Sequence, residues 1–171
     1  MSTSTTPANP ELRTVSKELV FIPIARDELA AIDGSVQLTD RAAHHVTPEL
    51  LVALGYRVGQ EEEAEYAALM IASVAALTRF GERLVLVAEV NDSLIMNCDD
   101  LENGACILTR VVPEAMTCWF SEAPGVDTST AAVASRGLDI DTAWGFDEVQ
   151  DLLRESDLLW NDVEEYRRGL C

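Results

Sequence analysis

The stretch EEEAEYAALMIASVAALTRFGERLVLVAEV, Glu61 to Val90, decides the fold class. Over Glu61 to Phe80, Tyr66, Met70, Val74 and Leu77 recur at helical spacing, with Ala67 and Ile71 beside them. Glu61, Glu62, Glu63 and Glu65 fill the opening turns, where the helix macrodipole favours carboxylates, and Gly81 supplies a C-cap. The period then changes. Arg83-Leu-Val-Leu-Val-Ala-Glu-Val90 is rich in β-branched residues and apolar on both faces over Leu84 to Ala88, the pattern of a strand inside a sheet. A long helix feeding a central strand requires layers of both kinds.

Upstream, Glu18-Leu-Val-Phe-Ile-Pro-Ile-Ala25 predicts a buried strand. Pro23 cannot donate to a ladder, so this strand is expected at an edge, or paired on one side only at that point. Arg26 to Asp33 predicts a short helix with Leu29 and Ile32 inward, closed by Gly34. Ala42 to Val46 is a short extended segment. Thr47-Pro48-Glu49 starts a helix, with Thr as N-cap, Pro in the first turn and an acid beside it; Gly55 ends it.

Downstream, Asn91 to Gly104 is an acidic loop. Ala105–Val112 and Thr117–Ser121 are strands joined by a turn at Pro113, and so short a connection predicts that they pair antiparallel. An alanine-rich helix runs from a cap at Asp127 or Thr128 to Gly137, and Asp139 to Thr142 is loop. Phe146–Glu155 has helical spacing through Val149, Leu152 and Leu153. Asp157–Asn161 is a short strand, and Val163–Arg168 a last helical turn. The expectation is a disordered tail over 1–16 and one α+β domain over 17–171, with a mixed or antiparallel sheet of about four to six strands packed with helices.

The 171 residues hold 30 Asp and Glu against 12 Lys and Arg, a net charge of −18, and Lys17 is the only lysine. Apolar residues make up 48%, enough for a real core, so the acidity is decoration on an ordered chain. A surface this negative repels nucleic-acid phosphates and anionic lipid headgroups; neither is expected as a direct partner. No apolar run approaches the ~20 residues of a bilayer span. Met1 to Pro10 lacks the apolar centre of an export signal, which predicts a cytoplasmic protein. Cys98, Cys106, Cys118 and Cys171 form no CxxC pair and are expected as free thiols.

The motifs of phosphate-binding loops, nucleophile elbows and zinc proteases are absent. His44 and His45 are adjacent; on a strand they would point to opposite faces. Either one with Cys98, Cys106 or Cys118 would make a soft-metal site, but structural zinc sites carry paired ligands at short spacing. The plainer reading is two surface or half-buried histidines. Glu61 and Glu65 lack the Glu-x-x-His that completes carboxylate-bridged metal helices, and the acids from Asp92 to Glu102 do not follow the calcium-loop pattern. No catalytic, cofactor or metal residue is therefore assigned. An enzyme would need a site assembled from distant carboxylates and histidine, with Glu89 the first suspect. The leading expectation is a non-enzymatic binding or regulatory protein that engages a basic protein partner. Its expected surface is Trp144 and Trp160 with the acids Asp147, Glu148, Asp157 and Asp162, because an exposed Trp in a charged rim makes a hot spot. Packing of these tryptophans on their own sheet is the alternative. An acidic mimic of nucleic acid is another, and it would need carboxylates spaced like phosphates along one face.

Five motifs in order carry a family resemblance: Val20-Phe-Ile-Pro-Ile24; Val46-Thr-Pro-Glu-Leu50; Glu61 to Ala68; Leu84 to Val90; and Asp157-Leu-Leu-Trp-Asn-Asp-Val-Glu-Glu165. The chain resembles a group of small acidic actinobacterial proteins of unknown function. The resemblance spans roughly residues 18–166 and implies no reaction, cofactor or catalytic residue.

Overall fold

A computed structural model of the protein describes residues 16–30, 37–57 and 59–163. In chain order the elements are β1 (Lys17–Pro23), α1 (Arg26–Ala30), β2 (Leu38–His44), α2 (Pro48–Ala53), α3 (Glu61–Phe80), β3 (Val85–Asn91), β4 (Ile95–Asn97), β5 (Ala105–Val111), β6 (Met116–Ser121), α4 (Ser129–Ser135), α5 (Ile140–Trp144), α6 (Asp147–Glu155) and β7 (Leu159–Asp162). Single 3-10 turns lie at Asp92–Leu94, Leu101–Asn103 and Pro113–Ala115. The expected tail except Ser16, together with Ile32, Gly34, most of the last helical turn and Cys171, falls outside the described residues.

The strands form one antiparallel sheet of seven, in the order β4-β5-β2-β1-β3-β6-β7. Seven exceeds the expected four to six because two strands hide in polar sequence. β2 begins in Leu-Thr-Asp-Arg, and β4 is three residues inside the acidic loop. Another departure is α5, which occupies the expected loop at Asp139; the Asp139 carboxylate caps it by accepting from the Thr142 N–H at 2.8 Å. β1 is the middle strand and not an edge, and at Pro23 it is paired on one side only, the other arrangement expected of it. Pro23 is tolerated there because the β1–β2 ladder consists of Phe21 opposite His44 and goes no further, so no partner awaits its missing N–H. Its carbonyl instead accepts from the Arg41 guanidinium at 2.9 Å.

The strands β5 and β6, expected to pair, are separated by β2, β1 and β3. Their connection fixes the shape of the sheet. Val111 to Met116 is five Cα steps, and Asn91 to Ile95, joining β3 to β4, is four. Each crosses four interstrand gaps, about 19 Å in a flat sheet. Fully extended, five steps reach at most about 18 Å, and a 3-10 turn shortens both paths. The sheet is therefore rolled, carrying β4 and β5 over towards β3 and β6. Inside the roll lies one apolar cluster: Val20, Ile22, Leu86, Ala88, Leu108, Val111, Met116 and Trp119 are all buried in it. Of the helices, α1 reaches that face through Leu29.

The outer face of the sheet packs on α3. Phe21, Val85, Val87 and Cys118 meet Ala68, Leu69, Ile71, Ala72 and the buried Leu50 of α2. The face of α3 differs from the expectation. Tyr66 is exposed and Met70 half-buried, while the small Ala64 and Ala68 turn inward and let the helix lie close to the strands. From Ile71 to Thr78 every residue is buried, because α4, α5 and α6 cover the far side through Ala131, Ala132, Ala143, Val149 and Leu152. Gly81 caps α3 in the left-handed region at φ 84°.

Candidate functional site

The six residues nominated as a partner surface do not form one patch. Trp144 ends α5, is half-buried and packs into two core clusters at once, so it is a core residue. Asp147 and Glu148 lie exposed in the first turn of α6, where the helix dipole favours them. Asp157, Trp160 and Asp162 do come together, on β7 and the residues leading into it.

β7 pairs with β6 alone and ends the sheet, so its outer edge is open among the described residues. Two anchors fix it. Arg83 is fully buried and holds Glu122 through Nε–H and Nη2–H at 2.6 and 2.8 Å; Nη2 also donates to the Ser156 carbonyl at 2.8 Å. A guanidinium forked on a carboxylate is a rigid joint, and it sets the point from which the chain enters β7. Asn161 then braces the strand, its amide donating to the Trp119 carbonyl at 3.3 Å and the Ser121 hydroxyl at 3.2 Å.

On this strand Trp160 is 59% exposed and stands opposite Phe120 in the ladder. Burial pushes up the thiol of Cys118, which stands next to Phe120 on the same face of β6. On that face a shallow groove of about 330 Å³ is lined by Tyr66, Leu69, Met70, Phe120, Asp157 and Leu158. Tyr66 and Met70 are the residues that the helical spacing assigned to the core. The sequence signal that would have corrected this is the run of alanines at Ala64 and Ala68, small enough for close helix-to-sheet contact.

The histidines are neither on the surface nor half-buried. His44 and His45 are buried, at 2% and 6% exposure. His44 Nδ1–H donates to the Asn103 carbonyl at 2.9 Å, and burial pushes its imidazolium down to a pKa of about 4, so the ring is neutral. His45 Nδ1 lies 2.8 Å from Glu18 Oε2 and Nε2 lies 2.7 Å from the Asn97 side chain. Its backbone N–H donates to Gly104. Both rings hold the acidic loop against the sheet. With its two nitrogens engaged, His45 offers no free base to solvent. Glu89, the suspected catalytic carboxylate, is an exposed strand end lining two clefts with Lys17.

Cys98, Cys106 and Cys118 are free thiols; burial pushes the Cys106 thiol up to about 12, which leaves it inert as a nucleophile. Among the described residues no three His, Cys, Asp or Glu side chains are grouped to hold a metal, and no helix is long and apolar enough to cross a membrane.

The chain belongs to the family of unknown function DUF6912, which matches residues 19–168 and takes in all five motifs on which the resemblance rests. No curated protein and no solved structure matches it.

Proposed function

We propose that this member of the family is a binding protein, and that its partner is a basic segment of another protein which adds in extended form to the open edge of β7. The observation that carries the reading is Trp160: a large ring, 59% exposed, on an edge strand that is braced on β6 and whose outer side is open among the described residues. An open edge supplies main-chain hydrogen bonds to an added strand, and alternate side chains of that strand find pockets. Here the pocket is the groove between Tyr66, Phe120 and Leu158. Asp157 and Asp162 flank the ring, and the net charge of −18 speeds encounter with a Lys- or Arg-rich partner. A cytoplasmic setting and an actinobacterial origin belong to the same proposal; the origin rests on the order of the five motifs.

The test is affinity purification from the native organism with wild-type and Trp160→Ser chains, eluted in a salt gradient and identified by mass spectrometry. The expected result is a small set of basic proteins, held by the wild type at low salt and lost from Trp160→Ser. Equal retention by the two chains would move the interface elsewhere, and an empty wild-type eluate would end the binding reading.

A further inference from the structure

The roll of the sheet brings together charges that the strand order keeps apart. At its end, where β1 begins and β3 and β5 finish, lies a cleft of about 400 Å³, within the size range of small-molecule sites. Its charged lining is Lys17, Arg110, Glu89 and Glu114. The apolar lining is Val90, Leu94, Val112 and Ala115. Of the nine Lys and Arg side chains among the described residues, fewer than half pair with a carboxylate. Arg26, Arg41, Arg83 and Arg154 do so. Arg57, Arg79 and Arg136 do not, and neither do Lys17 and Arg110, but only the last two share a cleft with two carboxylates that they leave unpaired. The walls hold two positive and two negative groups apart.

We infer that this cleft binds a small aliphatic zwitterion of the free α-amino-acid class, its carboxylate on Arg110 and Lys17 and its ammonium on Glu89 and Glu114. Charge decides the class. A free anion must enter against the field of a protein at −18, and a free cation leaves both basic groups unmet. A neutral molecule with both charges meets all four groups without opposing the field. Guanidinium–carboxylate contacts are also the strong, directional kind. The aliphatic part lies against Leu94 and Val112, which share the cleft with these groups.

The test uses the full chain and saturation-transfer NMR with L-valine, L-leucine and L-isoleucine. Isovalerate and isopentylamine, each with one of the two charges, serve as controls. The expected result is binding of the amino acids in the millimolar range or tighter, with each single-charge control weaker by about tenfold or more. Arg110→Gln and Glu114→Gln, two exposed or half-exposed positions that need not disturb folding, each weaken the amino acids by about tenfold. Absence of saturation transfer from every amino acid overturns the inference. So does binding that both variants leave unchanged, or isovalerate binding as well as L-leucine. Trp160→Ser leaves this binding intact, which separates it from the partner interaction.

Discussion

Two stretches of this chain are equally acidic and serve opposite ends. Asn91–Gly104 holds four Asp and Glu in fourteen residues, and Asp139–Asp162 holds eight in twenty-four, so composition cannot tell them apart. The first is closed on itself and on the core. Its backbone is capped by 3-10 turns, its β4 strand joins the sheet, and it is held from beneath by His44, His45 and the Thr47 hydroxyl, which donates to the Leu101 carbonyl. The second is fixed at Ser156 and Asn161, and between them Leu159 and Trp160 stand exposed on an edge that is open among the described residues. The contrast teaches that the carboxylates themselves say little about function. What matters is which polar and aromatic groups lie among them, and whether those groups are already satisfied.

The sharpest way to break the contrast is at Gly104. Its φ of 67° lies in the left-handed region, and a Cβ there would sit 1.9 Å from the His45 carbonyl oxygen. Gly104→Ala should cost about 3 kcal/mol or more, from left-handed strain and a backbone clash together. Gly104→Asn should be no better, since Asn eases the strain but not the clash. Urea unfolding measures both; an unchanged midpoint for either would mean that the loop is not clamped as described.

Acid is the next lever. Burial lowers the His44 pKa from 6.5 to about 4, so the unfolded chain takes up the proton first. The stability that neutral His44 confers is complete above pH 6.5 and is lost progressively as pH falls towards about 4. Between pH 6.5 and 5 the loss should amount to about 2 kcal/mol. In His44→Gln that part of the pH slope should vanish, even though the variant starts less stable. A wild-type slope retained in full would place the titrating group elsewhere.

The smallest expected effect lies in the outward stretch. Trp160→Ser should shift unfolding by about 1 kcal/mol or less, because most of the ring is already in water. Thermal denaturation checks this. A loss as large as that of Gly104→Ala would make Trp160 a structural residue and remove the basis for treating β7 as a docking edge.

Much of the secondary structure was legible. The α3 boundaries, its glycine cap, the Thr47–Pro48 helix start and the strands flanking the helix follow from local rules that act over a few residues. β1 accepts a proline because it is paired on one side only at that point, one of the two arrangements expected of it. The misreadings share one cause. β2 and β4 are polar because their neighbours supply the apolar contacts. Tyr66 was placed inward because it fits the helical period, whereas the sheet selected the smaller Ala64 and Ala68. Of the nominated site, Asp157, Trp160 and Asp162 share one strand and its approach. Trp144 was drawn into the core by two clusters that no local pattern announces.

By itself the sequence determined the class of fold, the charge, the central place of β3 and the helix ends, because propensity, capping and hydrophobic alternation are written within short windows. The tertiary structure alone decided strand order, the roll of the sheet, the burial of both histidines and the meeting of Lys17 with Arg110. Those depend on connections too short to cross a flat sheet, a constraint that exists only once all seven strands are laid side by side.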